Sequence, residues 1–118
     1  MRSIVLLAVI AITTTSPIQA YATITGQQII DFGNSYKKSL TGVKLTAQQH
    51  DEASYLSGYI GGVLDMTTGL NMYCPPNGFT FGSAIDLTIT YAKNHPAELN
   101  KLGSDVVLAA MRNSFRCS

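Results

Sequence analysis

Two adjacent segments, Gly58-Tyr-Ile-Gly-Gly-Val-Leu-Asp65 and Cys74-Pro-Pro-Asn-Gly78, indicate the type of fold most clearly. The first is apolar and rich in glycine, and it lies within a helical pattern of apolar residues. The second is a turn, because two consecutive prolines cannot continue a helix. A second cysteine, Cys117, lies near the other end of the chain. The pattern predicts a helix that runs into a cysteine-anchored loop.

Residues 1–22 have the features of an export signal. Arg2 is a positive start, residues 4–12 are a short apolar run, and Ala20-Tyr-Ala22 fits a cleavage site. The run is shorter than the roughly 20 apolar residues that span a bilayer. We expect cleavage after Ala22, with cleavage after Ala20 as the alternative, and an exported product without a stable membrane anchor. The competing interpretation is a buried N-terminal helix.

Residues 23–118 are predicted to form one domain, because no repeat or linker interrupts them. The 118-residue chain has eight basic and seven acidic residues, so loss of Arg2 leaves seven of each. A chain without net charge has no overall electrostatic footprint for nucleic acid or an anionic membrane surface. We therefore expect no nucleic-acid partner.

Helical spacing of apolar residues predicts four helices. Thr25-x-x-Gln28 and Thr46-x-x-Gln49 are capping boxes that begin the first two. Thr80 or Ser83 is expected to cap the third helix, and Ser104 the fourth. The predicted helices span 26–38, 47–69, 81–94 and 105–115, with a short turn within 96–101. The predicted fold class is all-α, a small compact bundle of four or more helices.

Two details of these helices leave alternatives. Residues 87–91 alternate and are β-branched, as in a strand, but the length of the segment favours a helix. Gly58 and Gly62 lie four residues apart and share one stripe of the second helix. This spacing predicts close approach of another backbone, either in the core or at a dimer seam. Gly69 is expected to end that helix in the left-handed conformation.

The two cysteines, Cys74 and Cys117, are most simply a disulfide in a small exported domain. Free thiols and metal ligation are the alternatives, although a zinc site would need further ligands such as a nearby histidine pair. The prediction is therefore one disulfide and no metal.

No catalytic constellation is apparent. His50-Asp51-Glu52 is tempting, but consecutive helical residues point in different directions, so a solvated first turn is the better interpretation. His95 precedes Pro96 at the C-terminal end of a helix, where a histidine can interact favourably with the helix dipole. Nothing in the sequence brings Asp65 and Asp86 together. We predict no catalytic residue, no metal and no cofactor.

The loop after the second helix is the candidate partner-binding segment. Five of its residues offer aromatic, amide or thioether groups on a stiff, cysteine-held turn: Asn71, Met72, Tyr73, Asn77 and Phe79. Such a loop binds a partner at a low ordering cost. The alternative is that Tyr73 and Phe79 fold back onto the core.

The chain resembles the Rap/Tai immunity proteins associated with type VI secretion. The resemblance rests on motifs that occur in order over about 25–117: Gly58-Tyr59-Ile-x-Gly62-Val-x-Asp65, Cys74-x-Pro-x-Gly78, Tyr91-x-x-x-His95-Pro96, Val107-x-x-Ala110 and Phe115-x-Cys117. It implies a periplasmic helical protein, often a homodimer, that binds a secreted cell-wall amidase effector and blocks its active-site cleft. It also implies the Cys74–Cys117 disulfide.

The resemblance gives the motif residues a structural role: Gly58, Tyr59, Gly62, Asp65, His95 and Pro96. Many members carry a further cysteine pair where this chain has Gly33 and Leu56, so the chain is a divergent member or a less stable one. The alternative function is a general periplasmic stress chaperone or a binder of a small apolar ligand, suggested by the apolar, disulfide-tied helical domain.

Overall fold

The computed structural model describes residues 23–118. The predicted signal peptide, 1–22, lies outside them. The described residues form four α-helices and one 3₁₀ turn: α1 Gly26–Ser39, α2 Ala47–Thr67, α3 Phe81–Asn94, the turn Pro96–Glu98, and α4 Gly103–Ser114. The all-α prediction is confirmed, and the third segment is a helix rather than a strand.

Local signals fix where the first three helices begin. At α1, the Gln28 N–H donates to Thr25 Oγ1 at 3.3 Å, and the Thr25 N–H donates to Gln28 Oε1 at 3.0 Å. The same reciprocal pair forms between Thr46 and Gln49 at α2. Thr80, rather than Ser83, caps α3. The two capping boxes are therefore confirmed as predicted.

The start of α4 differs from the prediction, because Ser104 is not its cap. The helix begins at Gly103 without any side-chain cap. The carbonyl of Ile24 accepts the Gly103 N–H at 2.5 Å, so a distant part of the chain satisfies this donor. The Gln27 N–H in turn donates to the Leu99 carbonyl at 2.8 Å. The N-termini of α1 and α4 thus lie side by side and share backbone hydrogen bonds.

The core is built from one apolar face of each helix. Ile29, Leu56, Ile60, Val106 and Val107 are fully buried. Ile85, Ile89 and Ala92 complete the contact from α3, and Ile24 closes the core next to the start of α4. The buried Thr88 hydroxyl donates to the Ala84 carbonyl at 2.8 Å, so this polar group has a partner inside the core. All four helices therefore depend on a single core.

Gly33 and Leu56, which stand at the places of the further cysteine pair, are both packing positions here. A Cβ added to Gly33 would lie 2.8 Å from Ile89 Cγ1, so the Ile89 side chain occupies that space. Leu56 is fully buried. Apolar packing thus occupies both places.

The glycine stripe of α2 does not approach the core. A Cβ built on Gly58 or Gly62 would meet no atom within 4 Å. The prediction of close approach within the core is therefore wrong at these two residues, and the dimer seam stays a prediction. Gly69 has φ +86°, the left-handed conformation predicted after α2. Within residues 23–118 no helix combines the length and the hydropathy needed to cross a membrane.

Candidate interaction surface

The loop between α2 and α3 is tied to the end of α4 by a disulfide and a hydrogen bond. Cys74 and Cys117 form the predicted disulfide, with their Cα atoms 5.0 Å apart. The Cys74 N–H also donates to the Phe115 carbonyl at 2.7 Å. Two independent links therefore hold the loop at the same point.

The aromatic side chains of the loop face inward rather than outward. The Phe79 ring packs edge-on against Phe115, with centroids 4.7 Å apart. The Tyr73 hydroxyl lies 2.8 Å from Thr67 Oγ1 at the end of α2. Both residues are half-buried. Of the five candidate residues, these two fasten the loop, so the alternative that they fold back describes them better.

The remaining three candidates divide between solvent and a groove. Asn71 and Asn77 are exposed, and Asn71 has a positive φ of 52°, which asparagine tolerates better than most residues. Met72 is half-buried and lines a groove with Arg112 and Arg116. Partner binding by this loop stays a prediction, and it concerns these three residues.

An apolar hollow lies between the loop, α2 and α3. Its volume is about 250 Å³, and Gly61, Leu64, Tyr73 and Phe81 are among its lining residues. Phe81, one of these lining residues, is 47% exposed. On the neighbouring end of α2 and the loop start, Met66 is 80% exposed and Leu70 is 63% exposed. Exposed apolar side chains therefore occur both at the hollow and at the end of α2.

A second exposed surface follows the glycine stripe of α2. Tyr55 stacks on Tyr59 with ring centroids 6.3 Å apart, and Phe32 meets Tyr55 edge-on at 6.0 Å. Beside these rings, Gly58 and Gly62 leave the helix backbone open to solvent. A partner helix could approach closely here.

The acidic residues considered as possible catalytic or metal-binding groups lie apart from one another. Asp86 pairs with Lys37 on α1, whereas Asp65 is exposed beside the apolar hollow. Glu52 accepts hydrogen bonds from the Ser35 hydroxyl at 2.6 Å and the Gln48 amide at 2.8 Å. These bonds stabilise the carboxylate and hold the pKa of Glu52 below its usual value.

The two histidines are also apart. His50 is exposed in the first turns of α2. His95 Nδ1 lies 2.7 Å from the Tyr91 carbonyl, and its ring stacks on Tyr91 with centroids 3.8 Å apart. Burial and the Glu98 carboxylate raise the pKa of Tyr91. These contacts close the end of α3 just before Pro96. Within residues 23–118 no group of three or more His, Cys, Asp or Glu lies together in a way that could hold a metal ion.

Comparison with protein families gives one result for this chain. The model of the Rap1a immunity proteins matches residues 33–117, which include α2, α3, α4, the loop and both cysteines. No curated protein and no solved structure matches the chain. Because the family match extends over most of the sequence, this protein belongs to the Rap1a immunity protein family.

Proposed function

We propose that this protein acts in the periplasm and inhibits a peptidoglycan amidase delivered by type VI secretion. The family match is the observation that carries the proposal, since a Rap1a immunity protein is an immunity protein for a secreted effector. The amidase, the secretion system and the periplasm come from the motif resemblance and the predicted export signal. Membership also favours a non-catalytic inhibitor that acts by binding alone.

In this proposal the surface around the disulfide-held loop blocks the amidase cleft. Two anchors hold the loop, Cys74 to Cys117 and Phe79 to Phe115, so little ordering entropy is lost on binding. The exposed Phe81 lines the apolar hollow beside the loop, and the exposed Met66 and Leu70 add apolar area at the end of α2 and the start of the loop. Apolar and aromatic residues of this kind are enriched at the centres of protein interfaces.

The first prediction tests complex formation. If an amidase is encoded beside this protein, the mature protein mixed with a catalytically inactive form of that amidase is expected to elute as one joint peak. Size-exclusion chromatography with light scattering measures the mass of that peak and hence the stoichiometry. In the control, an unrelated lysozyme of similar size replaces the mature protein in the mixture with the amidase. Two separate peaks at micromolar concentrations would remove the inhibitor proposal and leave the fold unaffected.

The second prediction tests the proposed homodimer. A double variant, Gly58→Leu with Gly62→Leu, places bulky side chains where the monomer has open space. We expect the wild-type protein to be a dimer and this variant a monomer by light scattering, with unchanged helical circular dichroism.

The matched control is Thr90→Leu, which adds apolar volume at an exposed position on α3. It is expected to leave the dimer intact. If the wild-type protein is monomeric, or if the double variant still dimerises, α2 does not provide the seam.

A further inference from the structure

A groove lined by two arginines lies next to the disulfide. Its volume is about 510 Å³, larger than that of the apolar hollow, and it is open to solvent. The lining combines one face of α4 with the loop and with α3: Met72, Tyr91, Ala109, Arg112, Asn113, Arg116 and Cys117. Three separate parts of the chain therefore meet around two guanidinium groups.

The backbone at Arg116 is anchored on both sides. Its preceding neighbour, Phe115, accepts the Cys74 N–H and packs its ring on Phe79. Its following neighbour, Cys117, is bonded to Cys74. Arg112 lies in the last turn of α4, directly after the buried Met111. Both arginines thus project from backbone whose position is fixed before any partner arrives.

Folding alone does not account for this pair of charges. The two ion pairs within residues 23–118 are Lys37–Asp86 and Lys101–Glu98, and neither includes Arg112 or Arg116. One carboxylate, that of Glu98, accepts a hydrogen bond from the Tyr91 hydroxyl at 3.4 Å, but it pairs with Lys101 and not with either arginine. The helix dipole favours a cation such as Arg112 in the last turn, whereas Arg116 lies beyond the end of α4. Arg116 therefore has neither an ion-pair partner within residues 23–118 nor a place in the last turn of α4 to explain its position.

The chemistry of the groove matches a carboxylate. A guanidinium presents a planar fork of N–H donors that binds a carboxylate through two parallel hydrogen bonds. The Asn113 amide adds a further donor, and Met72 and Ala109 add apolar contact for the stem of a side chain. We infer that Arg112 and Arg116, together with Met72, recognise an acidic side chain on the surface of the effector. This inference rests on the proposed inhibitor function and places part of the interface on the α4 side of the loop.

The test removes the two charges and measures affinity for the inactivated neighbour-encoded amidase. In isothermal titration calorimetry, the double variant Arg112→Gln with Arg116→Gln is expected to bind at least about tenfold more weakly than the wild type. The charge-matched control is Lys44→Gln with Lys93→Gln, which removes two exposed cations that form no ion pair in residues 23–118. This control is expected to stay within about twofold of the wild type, as for exposed charges outside an interface.

A conservative variant separates specific recognition from general attraction. Arg112→Lys with Arg116→Lys keeps both charges and loses the fork, so it is expected to recover only part of the affinity. Full recovery would contradict fork recognition. Circular dichroism melting of each variant confirms folding before titration.

The outcomes distinguish this inference from the function on which it rests. If the wild-type protein binds and the double glutamine variant binds equally well, the arginine groove is not part of the interface, and the inhibitor function stands. If the wild-type protein does not bind the amidase at all, both the function and the inference fail. If Lys44→Gln with Lys93→Gln weakens binding as much as Arg112→Gln with Arg116→Gln does, the inference is also overturned, because only net charge would then matter.

Discussion

Replacement of Cys74 and Cys117 together by alanine is expected to lower the free energy of unfolding by about 4 kcal/mol. The disulfide joins residues 43 positions apart, so its loss restores a large conformational entropy to the unfolded chain. A loss of that size approaches the whole stability of a small domain, about 5 kcal/mol at the low end. Guanidinium denaturation followed by circular dichroism measures the change.

The control for this prediction is the wild-type protein with and without reductant. Reduction is expected to reproduce most of the destabilisation in the wild type and to leave the double alanine variant unchanged. A double variant that unfolds within about 1 kcal/mol of the oxidised wild type would show that the Phe79–Phe115 contact and the helical core hold the loop without the disulfide.

Substitution of Gly103 by alanine is expected to lower the free energy of unfolding by about 3 kcal/mol, the upper part of the usual range for overpacking. The added Cβ would lie 2.8 Å from the Ile24 carbonyl oxygen and 3.0 Å from Tyr59 Cε1. The carbonyl is backbone and accepts the Gly103 N–H, so it cannot move aside without breaking that hydrogen bond. The α1–α4 contact must open to admit one methyl group. Thermal and guanidinium unfolding both report the loss.

Gly82 offers a closely matched control, because it also lies in the first turn of a helix. A Cβ at Gly82 would be 3.9 Å from the Tyr36 hydroxyl oxygen, an ordinary contact. Gly82→Ala is therefore expected to leave stability unchanged or to raise it by up to about 1 kcal/mol, the usual helix preference of alanine over glycine. Equal effects of the two substitutions would show that backbone contact at Gly103 is not what requires glycine there.

The features predicted correctly from the sequence are those that arise within a few residues. Thr25 and Gln28 fix the start of α1 because both partners of the capping box lie in one turn. Gly69 takes its positive φ because the end of α2 requires it locally. The disulfide was also predictable, because the chain has only two cysteines.

The features that could not be predicted depend on distant parts of the chain. Ser104 has the residue type of a cap, but the Ile24 carbonyl already binds the first donor of α4. Gly58 and Gly62 have a spacing typical of close packing, yet their stripe faces solvent because Leu56 and Ile60 turn the other side of α2 to the core. In each case a tertiary contact that leaves no mark on the local sequence decides the outcome.

The candidate site was predicted in part for the same reason. The loop was identified from its cysteine and prolines, but the inward orientation of Phe79 depends on Phe115, which lies 36 positions away (115 − 79). The arginine groove was missed, since Met72 and Arg112 come together only in the fold. The sequence does offer one signal for the groove: Arg116 directly precedes the second cysteine, and Arg112 lies four residues before Arg116.

If the protein acts in the periplasm, as we propose, the backbone pairing between α1 and α4 bears on how long it survives among the proteases there. If cleavage follows Ala22, as expected, a single residue precedes Ile24. Ile24 is only 2% exposed, and its carbonyl accepts a hydrogen bond from the Gly103 N–H. A protease needs an extended, accessible segment, and here the amino-terminal end offers almost none. Degradation that starts at this end must wait until α1 separates from α4, which exposes the shared core. Proteolysis should therefore depend on the equilibrium population of opened molecules rather than on fraying of the end.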